Sequence, residues 1–383
     1  MMRRLTLLTI VILFRLTAWG QVFGDQKPIK IWKKQSGSIL SLAFQPDGKA
    51  LASGSDDKTC VLRNFPDGTV LNTITGYTNG VQSVFYTPDG TYFCTGSNKY
   101  IKIYKPGGEY VNTYGGPATF IWSLAYNPVI NQVVAGSYEK NIRMVDFSAG
   151  KLSFSFVGHL KNALAVAISP DGKILASGSL DQTIKIWDLT TKKLLKTCEG
   201  HGGNIYSVVF TFDSKKIISA SNDNSIRIWD VETGKTIMNL NEHVKGVSCL
   251  ALSPDGNYLV SGSYDTTIKL WELSSGECIH TFSGHSDAVN AVAFHPESKF
   301  FASGSSDKSI LIWELKPELF VEHYYPKEFE SEISNSILFA SKRKDETKAD
   351  YKIRQEKAEA FKISIITRYY NQYLSDIKGK VRK

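Results

Sequence analysis

The chain has no C-x-x-C pair, and its five cysteines (Cys60, Cys94, Cys198, Cys249 and Cys278) are odd in number and irregularly spaced. A disulfide framework or a structural zinc site is expected to show regular pairs. The cysteines fall where neighbouring repeats carry small or apolar residues. They read as buried inert thiols, with disulfides or a metal site as the alternatives. There is no G-x-S-x-G elbow, no phosphate loop and no dinucleotide fingerprint, so the common signatures of hydrolases, NTPases and nicotinamide enzymes are missing. No charge of one sign dominates. The formal net charge is +8, thinly spread, with no basic stripe interleaved with aromatics, so nucleic acid is not expected as a partner.

Long apolar runs are also scarce. Leu5–Phe14 is ten residues, short of the roughly twenty that span a bilayer. It follows Met1-Met2-Arg3-Arg4 and precedes Ala18-Trp19-Gly20, a small-residue site before Gln21. Residues 1–24 therefore read as a cleaved signal peptide, with a membrane anchor as the alternative. An anchor would place Arg15 in hydrocarbon at a cost of about 2.5–3.5 kcal/mol. The signal reading carries the expectation of a secreted or periplasmic protein. Membrane anchorage and a cytoplasmic location are the other options.

What is present is a repeat. The hydrophobic fraction is 42% and the aromatic fraction 12%, enough for a sizeable core. Ala176–Leu189, Ile218–Val231, Val260–Leu273 and Ala302–Leu315 share one pattern, and Ala52–Phe65, Cys94–Lys105 and Val134–Phe147 are blurred copies. Positions 63, 104, 145, 187, 229, 271 and 313 recur every 41 or 42 residues. Turns such as Pro46-Asp47-Gly48 and Pro170-Asp171-Gly172 punctuate short β-rich runs, because Asp and Gly tolerate turn dihedrals and Pro pre-sets one φ. Four strands per period form a meander sheet that cannot bury both faces alone, so the sheets stack.

This pattern resembles the WD-repeat β-propeller family over about residues 29–315. The resemblance implies an all-β, seven-bladed propeller over 28–315. Ile29–Lys34 would supply the missing outer strand of the last blade and so remove an open sheet edge. It also implies a hydrogen-bonded chain of His, Ser, Asp and Trp in each blade. The matching sets are His159, Ser177, Asp181 and Trp187; His201, Ser219, Asp223 and Trp229; His243, Ser261, Asp265 and Trp271; and His285, Ser303, Asp307 and Trp313. On paper these resemble a Ser-His-Asp triad. They recur four times and end on an indole, which marks them as structural and not catalytic.

Blades one to three depart from the pattern. Blade one has Ser53 and Asp57 but Gln35 and Arg63 for His and Trp; blade two has Thr95, Asn98 and Tyr104; blade three has Ala135, Glu139 and Val145. Apolar packing is expected to hold them. The remaining histidines, His280, His295 and His323, cluster with no metal-ligating partners, so no catalytic residue, cofactor or metal is expected.

The resemblance further implies a binding rim, built by residues preceding each turn Asp and residues opening each innermost strand. The candidates are Phe120, Trp122, Tyr138, Leu164, Leu180, Tyr206, Asn222 and Tyr264, with polar Asp56, Ser248 and Asn290 at equivalent places. Phe120, Trp122 and Tyr138 share blade three. They read as interface anchors, or Trp122 fills the gap left by that blade's missing Trp. After Leu315 the period stops: 316–345 reads as a linker, and 346–383 as an amphipathic helical extension. Phe361, Ile365, Tyr369, Tyr373 and Ile377 form its apolar stripe. That stripe would fold back on the propeller, meet a partner helix or begin a further domain, or lie on a membrane. The function expected is a non-enzymatic scaffold binding a protein or peptide. An enzyme at the channel and a purely structural module are the alternatives.

Overall fold

The structure, a computed structural model, describes residues 26–381, with side chains as far as Asp376. The segment read as a signal or anchor lies outside the described residues. The chain divides into two units, Lys27–Glu314 and the C-terminal stretch from Leu315.

The first unit is seven four-stranded antiparallel sheets. Six are simple meanders, because two- to six-residue turns leave each strand only its predecessor to pair with. In blade one the strands are Ile39–Phe44, Ala50–Ser55, Cys60–Asn64 and Val70–Ile74, here lettered a to d from the inside outward. The seventh sheet is discontinuous in sequence. Lys30–Lys33 pairs antiparallel with Ser309–Glu314, Lys30 opposite Ile312 and Lys33 opposite Ser309. The N-terminal strand thus completes the last blade, as the resemblance implied.

Burial follows the blade order. The second strands are almost wholly buried, as in Ala-Leu-Ala-Ser-Gly-Ser of Ala50–Ser55, while outer strands such as Leu194–Cys198 are largely exposed. Small residues in the second strand let neighbouring sheets approach face to face. The core therefore lies between blades, and the cluster that joins the ends shows it. Trp32, Ile39, Leu42 and Leu51 pack with Ala291, Ala302, Ile310 and Ile312. His295 adds a polar tie at the same seam, its Nε2 3.1 Å from the Gly48 carbonyl, and is buried against Phe65.

The C-terminal unit corrects the expectation of a linker over 316–345. That stretch holds helix α1 (Pro317–Tyr324), helix α2 (Pro326–Asn335) and a 3-10 turn, Ile337–Phe339. Pro317 and Pro326 each open a helix, where a missing N–H costs nothing. Helix α3 (Lys348–Val381) follows. Val321, Phe329, Ile365 and Ile366 form the unit's own apolar core, with Tyr325, Phe361 and Tyr369 packed against it. Part of the α3 stripe is thereby covered by α1 and α2, within the unit itself. Arg354 fastens the 3-10 turn to α3. Its guanidinium donates to the carbonyls of Ile337, Leu338, Ala340 and Ser341 and pairs with Glu346 at 2.8 Å. Among the described residues no helix is long and apolar enough to cross a membrane.

Candidate functional site

Each of blades four to seven carries a chain of four polar side chains. In each of blades four to seven the Trp Nε1–H donates to Ser Oγ at 2.8 Å. The Ser Oγ lies 2.7–2.8 Å from His Nε2. His Nδ1 in turn lies 2.8–2.9 Å from the Asp carboxylate. Indole can only donate, so the proton order runs Trp to Ser to His to Asp. Each Asp also accepts the amide that follows its His, as Leu160 does to Asp181 at 2.8 Å. Burial alone would raise the Asp181 carboxyl. The hydrogen bonds from His159, Thr183 and the Leu160 amide outweigh it and hold the group below the usual carboxylate range. Ser177, Ser219, Ser261 and Ser303 are each 0% exposed. A hydroxyl sealed from solvent is not presented to a substrate, and the chain of hydrogen bonds joins the loop carrying His to the turn carrying Asp.

Blades one and two are not left to apolar packing. In blade one Ser53 Oγ donates to Gln35 Oε1 at 2.7 Å and accepts from Arg63 Nη1 at 3.0 Å, so Gln and Arg take over the His and Trp roles. In blade two Tyr77 stands in the His position, its hydroxyl 3.0 Å from both Thr95 and Tyr104. Tyr77 carries no imidazole to match the motif; a phenol two repeat-lengths before His159 was the available signal. Blade three has the barest version. Glu139 accepts the Ala118 amide at 2.6 Å and pairs with Arg143 at 2.9 Å, and no chain extends inward from it.

The rim candidates owe their placement to a repeated backbone feature. In every blade the register between strands a and b slips at the second residue of strand a. The extra residues are Leu40, Gln82, Trp122, Leu164, Tyr206, Ser248 and Asn290. A bulge bends its strand and re-aims one side chain. Two of the polar ones tie one blade to the next: Asn290 Nδ2 donates to the Ile39 carbonyl at 3.1 Å, and Ser248 Oγ to the Val289 carbonyl.

Where it is aromatic a ladder of rings results. Phe120 meets Tyr138 edge-on at 6.4 Å, and Tyr138 meets Trp122 at 5.7 Å. Trp122 stacks with Tyr206 at 6.3 Å, and Tyr206 meets Tyr264 at 5.9 Å. The ladder thus links blades three, five and six. Burial, then the nearby Tyr206 phenol, pushes the hydroxyls of Tyr138 and Tyr264 up, so these two stay uncharged. Phe120 and Tyr138 are 44% and 43% exposed; Trp122, Leu180, Tyr206 and Tyr264 are half-buried and Asn222 is exposed. Leu164 is corrected: at 2% exposure it offers no surface, because its neighbours cover it. All five cysteines are free thiols, four of them buried. Among the described residues no group of three His, Cys, Asp or Glu is placed to hold a metal ion.

Comparison with known proteins agrees with the blade-by-blade picture. The family model "WD domain, G-beta repeat" matches six stretches, 26–64, 68–105, 150–188, 192–230, 234–272 and 276–314, and skips 106–149, most of blade three. Relatives include the nuclear distribution protein PAC1 of Arthroderma otae, 30% identical over 36% of this chain and 33% of that protein. The U3 small nucleolar RNA-associated protein 15 homolog of Xenopus tropicalis is 26% identical over 42% of this chain and 31% of its own length. WD repeat-containing protein 82 of Drosophila melanogaster is 26% identical over 39% of this chain and 48% of its own. The aligned part of this chain therefore spans between 31% and 48% of the length of these relatives. Nuclear and nucleolar names among them overturn the expectation of a secreted or periplasmic protein. With more than half of its residues matched in register with the observed blades, the chain belongs to the WD-repeat family.

Proposed function

We propose that the chain is a non-enzymatic scaffold that grips a protein or peptide across the end of the ring carrying the aromatic ladder. The observation that carries this reading is the unbroken ring-to-ring contact from Phe120 through Tyr138, Trp122 and Tyr206 to Tyr264. Rigid aromatics bury large area at small entropic cost, which is why they dominate binding hot spots. Antiparallel pairing alternates the ends of successive strands, so the turn before strand a and the turn after strand b share one end. Both sources of rim residues therefore face the same partner. The polar members around Asn290 and Ser248 are engaged in holding blades together, which leaves recognition to the aromatic arc. Selection of displayed peptides on the immobilised full chain tests the proposal. Selected peptides are expected to lose affinity for Trp122→Ala and to keep it for Phe212→Ala, an exposed aromatic on an a–b turn at the other end. Equal affinity for both variants overturns it.

A further inference from the structure

Between blades two and three, at the end away from the ladder, opens a cavity of about 320 Å³. Its lining combines four aromatic rings with the polar side chains of Thr87, Asp89, Asn131 and Ser148. The ring of buried Phe147 is met at 5.6 Å by Tyr92, at 6.3 Å by Tyr114 and at 5.1 Å by Tyr126. These three rings stand at 68°, 89° and 58° to the Phe147 plane. One ring is thus flanked by three steeply inclined ones. Two of the phenols are already committed: Tyr114 donates to the Phe147 carbonyl at 2.9 Å and Tyr126 to Asn131 Oδ1 at 2.8 Å. What they offer a ligand is ring surface.

The single acidic group in the lining is Asp89. Hydrogen bonds from the Thr87 and Thr91 side chains hold its carboxyl at about 2, so it is an anion at neutral pH. An aromatic face attracts cations through its quadrupole, and the chain already uses one such face, with Lys105 Nζ 5.0 Å from the Tyr92 ring centre. A bare ammonium carries three N–H donors and would find Asp89, but the other side-chain oxygens here, on Thr87, Asn131 and Ser148, each already accept a hydrogen bond. Methylation removes those donors and spreads the charge over an apolar surface that rings can enclose.

We propose that this cavity is a second binding site, taking a methylated ammonium group held against Tyr92, Tyr114, Tyr126 and Phe147 and facing Asp89. The group reaches it either as a free quaternary amine or on a methylated lysine side chain. Calorimetric titration of the full chain separates these sources, using choline and a short peptide carrying trimethyl-lysine. Controls are 3,3-dimethylbutan-1-ol, the uncharged isostere of choline, and the unmodified peptide. At least one methylated probe is expected to bind saturably and about tenfold tighter than its control. Binding by choline alone identifies a free amine, and binding by the peptide alone identifies a lysine side chain. Asp89→Asn, which keeps shape and removes charge, is expected to weaken binding several-fold, and Tyr114→Leu more. Trp122→Ala is expected to leave it unchanged, so this site stands or falls apart from the rim. Controls that bind as tightly as the methylated probes, absence of saturation at millimolar probe, or indifference to both cavity variants in protein with unchanged melting overturns the proposal.

Discussion

Trp122 of blade three stacks on Tyr206 of blade five at 6.3 Å with 30° between the ring planes, although an entire blade separates them in sequence. Both are the extra residue of a bulge, and the intervening blade places Leu164 inward at the same position. The pair is therefore a product of backbone geometry as much as of residue choice. Trp122→Ala is expected to weaken binding of a rim ligand by at least about 2 kcal/mol, with little change in melting temperature. Tyr264→Ala, at the far end of the ladder in a blade with an intact polar chain, is expected to weaken the same ligand without unfolding. A large stability loss in Trp122→Ala with binding per folded molecule unchanged would identify Trp122 as core filler.

The polar chains predict a contrast between blades. Asp223→Ala removes the acceptor for His201, for the Gly202 amide and for Ser225, and is expected to cost about 1–3 kcal/mol. Glu139→Ala strands only the Ala118 amide and Arg143, both near solvent, and is expected to cost about 1 kcal/mol or less. Paired thermal or urea unfolding measures the difference; equal losses would contradict it.

Acid should destabilise the protein in two stages. Burial, then the charge of Lys269, lowers His280 to about 4, and burial lowers His285 as well. A histidine depressed in the folded state binds its proton more readily when unfolded, so its stability contribution is complete above about 6.5 and falls away as pH drops toward 4. Despite burial, hydrogen bonds hold Asp307 at about 2 and keep Asp181, Asp223 and Asp265 below the ordinary carboxylate range. Their contribution is present above about 4 and is lost below it. Melting curves from pH 8 to pH 2 are expected to show both declines, and His280→Gln to shrink the upper one.

Thr266 occupies the left-handed region at φ 73°, where Asn224 sits in blade five at φ 70°. A β-branched side chain is disfavoured there, whereas Asn tolerates it. Thr266→Asn is therefore expected to raise stability by about 0.5–1 kcal/mol, measured as a shift in the urea midpoint.

In the C-terminal unit, Arg354→Ala removes the donor shared by four carbonyls of the turn. Amide hydrogen exchange across 337–341 is expected to accelerate several-fold, with the propeller amides unaffected.

The propeller was legible because a period of 41 or 42 residues carries its own evidence: the turn, small-residue strand and indole recur in register. The four polar chains were legible for the same reason. Tyr77 was not, since its phenol performs an imidazole's task and matches no motif. Leu164 was misplaced because a bulge specifies which residue is extra, whereas the depth to which a given side chain sinks depends on its neighbours. The helices over 316–345 escaped because each is about two or three turns, too short for periodicity to speak. Their stability comes from Phe320, Phe329 and the α3 residues they cover.

The pairing of Lys30–Lys33 with Ser309–Glu314 has a mechanical consequence. Because the strands are antiparallel, the entry of the first and the exit of the second lie together at the Lys30–Ile312 end. Tension applied through the two ends of the ring therefore loads the hydrogen bonds one after another, as a zipper, and never all at once in shear. A pulling force would peel the closing strand from blade seven before any blade unravels, leaving an open arc whose other six sheets are each still whole.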